Sequence, residues 1–223
     1  MTQPNLHITG VVSFPYQENT LIVNLDGFED CLVFDPGLEP EKIFACLEEK
    51  QLTPAAIMLT HGHSDHIGGN TALKERWPDC PIVIGRRDAD MLSDPVLNLS
   101  ADYGVEITSP AADVLLDEGD NYTAAGMELS VREIPGHSVG HIVFLYQAHS
   151  PWIVFGGDVL FAGSIGRSDF PDGDGELMAQ GIQKKLFTLP DDTIVFPGHG
   201  PKTTIGHEKK TNPFVGEPAG YQP

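Results

Sequence analysis

Thr60-His61-Gly62-His63-Ser64-Asp65-His66 sets three histidines and one aspartate within six positions, directly after residues 55–59, an apolar run of strand length. On an extended segment, residues two apart point the same way, so His61 and His63 can hold one metal ion as neighbours. Asp65 and His66 fall where the chain turns toward a helix. They face differently and can serve a second ion nearby. A lone histidine would favour a polar loop that merely hydrogen-bonds. Three around an aspartate at a strand end favour a metal site, because imidazole and carboxylate are the ligands that zinc and iron prefer.

Working outward, three more segments repeat the design of an apolar strand, a turn and a donor at its tip. They are Ile134-Pro135-Gly136-His137, continued by Ser138-Val139-Gly140-His141; Val154-Phe155-Gly156-Gly157-Asp158; and Val195-Phe196-Pro197-Gly198-His199-Gly200. Glycine lets the backbone approach such a site closely. These segments add further histidines and a carboxylate able to bridge two ions, so the donors suffice for two metals without cysteine. Cys31, Cys46 and Cys80 are odd in number and far apart, which suits neither a disulfide framework nor a cysteine-rich zinc site. A reducing compartment is the default for such a chain.

The remaining pattern is that of a mixed α/β chain. Strands are expected at 6–14, 20–25, 31–34, 81–84, 142–146, 152–155 and, as the last, 193–196, with meandering strands over 112–134. Helices are expected from Pro40, from Asn70 and over 176–189. Residues 156–175 read as a long irregular stretch, and the tail over 212–223 as irregular, fraying or wrapping the surface. The 223 residues, 40% of them hydrophobic, suit a single domain over 1–223. Thirteen basic against thirty-two acidic residues give a net charge of −19, which argues against nucleic-acid partners and anionic membranes. An anionic substrate stays compatible, because bound metal reverses the local field. No apolar stretch approaches the roughly 20 residues of a membrane span. The first residues lack a signal-peptide pattern, so a cytoplasmic location is expected.

Taken in order, Asp35-Pro36-Gly37, His61-x-His63-x-Asp65-His66, Pro135-Gly136-His137, Gly157-Asp158 and Gly198-His199 resemble the metallo-β-lactamase superfamily, over about residues 8–205. The resemblance implies an α/β fold, a four-layer αβ/βα sandwich with metals at one edge between two sheets. It implies His61, His63 and His137 at a first divalent ion, Asp65, His66 and His199 at a second, and Asp158 as the bridge. Zinc is the expected metal, with iron and manganese as alternatives. His141 matches a position that supports the ligands without binding metal, and Asp35 is expected to order a loop behind them. His7, His149 and His207 lie outside the pattern.

Details narrow the resemblance. The commonest β-lactamases of the superfamily carry Cys where Asp158 stands, flavodiiron proteins carry Glu in place of His63, and the charge disfavours nuclease members. Residues 157–170 and 135–141 resemble the glyoxalase II group. Pro197-Gly198-His199-Gly200-Pro201 and Thr211-Asn212-Pro213-Phe214 resemble its short single-domain bacterial members. The implied activity is hydrolysis of thioesters such as S-lactoylglutathione by a metal-held hydroxide, with Asp65 both ligating and orienting it. Fewer than 25 residues follow His199, so the helical C-terminal domain with which longer members grip glutathione is not expected. The substrate is therefore a small thioester, with or without a glutathione carrier. Arg167 has two readings: a cation for a substrate carboxylate, or a tie from its loop to Asp169 or Asp172. Two alternatives accompany the hydrolase. A mononuclear iron persulfide dioxygenase shares Gly166-Arg167-x-Asp169-Phe170. A non-catalytic metal-binding module would not need all seven donors. The oligomeric state is left open.

Overall fold

Strand β3 (Asp30–Phe34) turns Leu32 and Phe34 to one side and Cys31 and Val33 to the other, and all four are buried. A strand covered on both faces needs two further layers, and the chain provides them. We describe residues 4–222 in a computed structural model. β3 lies in a six-stranded sheet of order β1 (Leu6–Ser13), β2 (Glu18–Leu25), β3, β4 (Thr53–Met58), β5 (Ile82–Gly85) and β6 (Val114–Leu116). Its first three strands are antiparallel and the rest run parallel. The second sheet has the order β14 (Thr203–Thr204), β13 (Ile194–Pro197), β10 (Ile153–Gly157), β9 (Ile142–Tyr146), β8 (Met127–Glu133) and β7 (Asn121–Ala124). Only β10 and β13 pair in parallel there.

Three apolar layers follow from the alternation. Leu32, Phe34 and Met58 of the first sheet face Leu129, Phe144 and Phe155 of the second across the centre. Ile57 and Leu59 on the outer face of the first sheet meet Ile43 and Leu47 of α1 (Pro40–Lys50) and Leu73 of α3 (Asn70–Arg76). Val143, Leu145, Val154 and Val195 on the outer face of the second meet Met178 of α4 (Gly175–Gly181). Helix α1 starts with Pro40 where a missing N–H costs nothing, carries Glu41 in its first turn and Lys50 in its last, and ends on Gln51 in the left-handed region. The result is a single-domain αβ/βα sandwich. None of the helices among the described residues is long and apolar enough to cross a membrane.

Several elements differ from the sequence expectations. β13 is not the last strand: β14 and the helix α5 (Ile205–Thr211) follow it. Helix α5 is polar except at Ile205, so it lacks an apolar stripe. Its start is set by Thr204, whose side chain accepts from His207 N–H. The helix expected over 176–189 divides into α4, capped by Asp174, and a π-helical turn over Ile182–Leu186. The stretch 156–175 contains a small hairpin, β11 (Leu160–Phe161) and β12 (Ser164–Ile165). Asp65 and His66 lie on a helical turn of their own, α2 (Ser64–Ile67). Past Thr211 the chain packs on the second sheet's outer layer, where Val215 is buried and the Tyr221 ring lies 4.9 Å from that of Phe187.

The two sheets are joined directly at one end. Ile142 N–H donates to Thr60 O at 2.9 Å, and Asn19 N–H donates to Gly198 O at 2.7 Å. The Asn19 amide also donates to Pro197 O at 3.1 Å and Gly200 O at 2.8 Å. This end carries the tips of β4, β10 and β13.

The centre of the sandwich should be sensitive to truncation. Phe34 stacks on Phe155 at 4.1 Å and meets Phe144 edge-on at 5.6 Å. Phe34→Ala is expected to cost about 3–5 kcal/mol in urea unfolding, with the slope m unchanged. A loss below about 1 kcal/mol would show that this ring does not hold the sheets together.

Candidate metal centre

The donors reach one edge because four strands end there. β4 ends at Met58 and runs through Thr60 into His61 and His63, and α2 then turns Asp65 and His66 inward. The β8–β9 connection delivers His137 and His141, β10 delivers Asp158, and β13 delivers His199. Two glycines make this convergence possible. Gly157 has φ +47°, and a Cβ there would collide with Thr60 Oγ1. A Cβ on Gly198 would collide with Asp158 Oδ1 and sit 2.6 Å from His66 Cε1.

All seven donors expected from the sequence come together. Their ligand atoms form three groups, each within 4.8 Å: His61, His63 and His137; His61, His66 and Asp158; and Asp65, His66 and His199. Asp158 spans them. Its Oδ1 lies 3.6 Å from His66 Nε2, and its Oδ2 lies 3.5 Å from His137 Nε2 and 3.4 Å from His199 Nε2. Asp65 Oδ2 is 3.3 Å from His199 Nε2.

The outer ring nitrogens are held from behind, as metal-binding imidazoles require. His137 Nδ1 bonds Arg167 O at 2.8 Å, and His199 Nδ1 bonds Tyr16 O at 3.1 Å. His61 Nδ1 lies 3.1 Å from Thr60 Oγ1. The inward atoms His61 Nε2, His66 Nε2 and Asp158 Oδ1 are buried and have no hydrogen-bond partner. Buried polar atoms left this way are costly. Here they converge, so the donor set fits divalent cations.

The electrostatics agree. Burial, and then the neighbouring imidazoles, push His61 well below the ordinary histidine range and His63 down to about 3. Burial lowers His137 too. These rings are neutral and offer lone pairs. For Asp158, burial alone would raise the carboxyl, but His66 and the hydrogen bond from His199 hold it well below the usual carboxylate range. Asp65 is lowered against the same burial, first by His66. His66 and His199 are raised in spite of burial, His199 to about 10, by these two carboxylates. None of the lysines or arginines among the described residues pairs with either carboxylate, so the positive charge they need comes from imidazolium protons or from cations.

The supporting residues lie one layer back. Asp35 accepts from Thr60 N–H at 2.8 Å and from Thr60 Oγ1 at 2.7 Å, and its Oδ2 lies 3.3 Å from His66 Nδ1. His141 stacks on His61 at 4.7 Å, and its Nε2 accepts from Asp158 N–H at 3.0 Å. It belongs to none of the three donor groups. Arg167 lines the cleft over the donors, but its guanidinium is gripped by Asp169 through two 2.9 Å bonds and lies over the Phe170 ring at 4.7 Å. The cleft measures about 240 Å³ and is walled by Tyr16, Tyr103, Phe161 and Phe170.

Sequence reasoning missed Asp88 and Glu18. Asp88 is fully buried on the 3₁₀ turn Arg86–Leu92. It accepts from Ser138 Oγ at 2.5 Å, from Gly140 N–H at 2.6 Å and from Gly62 N–H. It thereby clamps the loop of His61 and His63 to the loop of His137. One aspartate among the five of residues 79–102 carries no sequence signal for this. Glu18 is fully buried, and burial raises its carboxyl well above the usual range. A turn residue at a strand start gave no sign of that. Asp88→Ala is expected to cost about 1–3 kcal/mol in unfolding of the metal-free protein. It should also weaken metal binding about 10- to 100-fold in a zinc titration. Unchanged metal affinity would show that the two loops hold their positions without the clamp.

With this geometry in view, comparison with known proteins gives a consistent result. The sequence profile of the metallo-beta-lactamase superfamily matches residues 14–199. The hydroxyacylglutathione hydrolase GloC of Haemophilus influenzae is 36% identical over 218 residues, 95% of this chain and 98% of that protein. The crystal structure of the BLEG-1 B3 metallo-beta-lactamase superposes with a TM-score of 0.89 at 39% identity, covering 94% of this chain and 99% of that one. That of TTHA1623 in a di-iron-bound form gives 0.81 at 38% identity, covering 93% and 100%. Fold, donor arrangement and sequence agree that the chain belongs to the metallo-β-lactamase superfamily.

Proposed function

We propose that the protein is a binuclear metal-dependent hydrolase of thioesters, with S-lactoylglutathione as the first substrate to test. The observation that carries this reading is the position of Asp158, within 3.6 Å of His66, His137 and His199 and so shared by both donor groups. His61, His63 and His137 would hold one ion, Asp65, His66 and His199 the other, and Asp158 both. Bound divalent ions lower the pKa of water to about 7 and polarise a carbonyl oxygen, and zinc, iron and manganese all accept this donor set. The di-iron form of TTHA1623 supports two ions, and GloC supports the thioester.

The chain's own residues supply the rest. Asp65 is held ionised at the cleft floor, where it can accept a hydrogen bond from water and orient its lone pair toward the substrate. In the reaction the water would give one proton to Asp65 as its oxygen bonds the carbonyl carbon; the C–S bond breaks, thiolate leaves with the electron pair, and the carboxylic acid formed loses its remaining proton to solvent. Thiolate needs no protonation to leave, so the cleft requires no general acid. The aromatic side chains Tyr16, Tyr103, Phe161 and Phe170 wall the cleft in which the carbonyl would lie. The similarity to BLEG-1 favours a second reading, β-lactam hydrolysis, in which the departing amine does need a proton.

Metal analysis with three assays separates the readings: release of thiol from S-lactoylglutathione, opening of a chromogenic β-lactam, and oxygen uptake with glutathione persulfide. Two ions per chain with thiol release is the expected result. One iron with oxygen uptake would replace the hydrolase by a dioxygenase. His63→Ala should leave the chain folded and the rate below about a tenth of wild type, since loss of a metal donor removes several kcal/mol of transition-state stabilisation. Asp158→Ala should lose more metal than His199→Ala, because it serves both ions. Equal loss in the two variants would argue against a bridge.

A further inference from the structure

A second cavity, of about 290 Å³, opens from the same cluster. It shares His63, Leu99, His137 and Phe170 with the cleft over the donors. Beyond them Met91, Val96, Leu97 and Val139 supply its aliphatic lining, beside Ser138, Pro171 and three charged residues. Val96 is 68% exposed and Leu97 39% exposed. Aliphatic side chains left in water around a concave surface beside a reactive centre mark a ligand site.

The loop that presents them is built and pinned. Asp94 Oδ1 accepts from Val96 N–H at 2.8 Å and Leu97 N–H at 3.3 Å. Asn98 is fully buried; its amide donates to Met91 O at 3.0 Å and Ile107 O at 2.8 Å, and its Oδ1 accepts from Ser100 N–H at 3.1 Å. Asn98 O accepts from Ser64 N–H at 3.0 Å, which ties the loop to the helical turn that carries Asp65 and His66. Leu99 has φ +68°, a conformation that costs a non-glycine residue about 1–2 kcal/mol. The surrounding bonds hold it there, where its side chain lines both cavities.

The linings tell the cavities apart, aliphatic here and aromatic over the donors. The rim of the second carries Asp90 and Asp172. Its one cation, Arg87, is bound to Glu133 at 2.6 Å. An anionic thiol carrier is repelled there, in a chain already at −19. The cleft on the other side carries Arg167, paired with Asp169, and has no acid beyond the two donor carboxylates Asp65 and Asp158 among its lining residues. We infer that the second cavity binds the acyl part of the substrate, and that this acyl group is uncharged, apolar and longer than lactoyl. This rests on the thioester reading. Met91, Val96, Leu97 and Val139 then set specificity, and the carrier lies toward Arg167.

The test is kcat/KM of the metal-loaded protein along S-acetyl-, S-butyryl- and S-hexanoylglutathione, with S-lactoylglutathione beside them. Burial of each added methylene is expected to raise kcat/KM about fourfold. With four added methylenes, hexanoyl should therefore exceed acetyl by up to about 250-fold, and by about 60-fold if three of the four are buried. Leu97→Asp places a charge on the wall, and the hexanoyl-to-acetyl ratio should fall toward one. Val96→Asp, at a more exposed position, gives the same readout should the first variant fold poorly. Calorimetry provides a second readout with two unreactive thioethers. S-hexylglutathione should bind at least about tenfold tighter than S-methylglutathione to the wild type, and Leu97→Asp should remove the difference. A wild-type ratio near one, or a ratio that both variants leave intact, would overturn the acyl site while leaving the hydrolase standing. Failure to cleave any of the thioesters would overturn the hydrolase reading and this inference with it.

Discussion

Two carboxylates, Asp65 and Asp158, are set among five donor imidazoles at the edge of the sandwich, with no lysine or arginine among the described residues paired to them. Removing such charges from water costs several kcal/mol each unless counter-charge comes with them. The rest of the molecule can be understood as what makes this cluster tolerable. Two sheets packed through Phe34, Phe144 and Phe155 hold four strand ends close enough for the donors to share one space. Loop glycines let Thr60, Asp158 and His66 approach at van der Waals distance.

Behind the donors a shell of hydrogen bonds holds the His61, His137 and His199 rings and the loops that carry the others. Asp35 holds Thr60, His141 holds the Asp158 backbone, and Asp88 joins the loops of His63 and His137. Backbone carbonyls of Tyr16 and Arg167 orient His199 and His137. These contacts come from parts of the chain 17 to 183 residues apart in sequence. The site is therefore as rigid as the sandwich, and its assembly depends on the whole fold. Two of the five non-glycine residues with positive φ among the described residues, Asp35 at +46° and Leu99 at +68°, lie beside the cluster.

In front of the donors the design relaxes. The first cavity has aromatic walls and one cation already neutralised by Asp169; the second has aliphatic walls and an acidic rim. A reactive centre held firmly from behind and flanked by two dissimilar cavities suits a substrate with two dissimilar halves.

Much of this was written in local patterns. Donors at strand tips, with Gly and Pro beside them, identified all seven residues that the fold brings together, because each motif is contiguous and the chemistry dictates its residue types. The unbroken apolar runs of β3 and β9 and the stripe of α1 likewise announced buried strands and a covering helix. Polar elements were not legible. Helix α5 has no apolar stripe, and β14 has two residues, so neither carries a period to read. Asp88 and Glu18 look like surface acids in sequence, and only packing shows that both are buried beside the site. The role of the Arg167 side chain was open between substrate and loop; its bond to Asp169 is a fact of the tertiary structure. So is the pairing of Val96 and Leu97 with Val139, some forty residues away, to form one cavity. The sequence by itself determined which atoms could meet a metal, since ligand chemistry is a property of residue type and spacing. Burial, charge balance and the shape of the cavities were decided only in the tertiary structure, because they depend on residues distant in sequence that the folded sheets bring into contact.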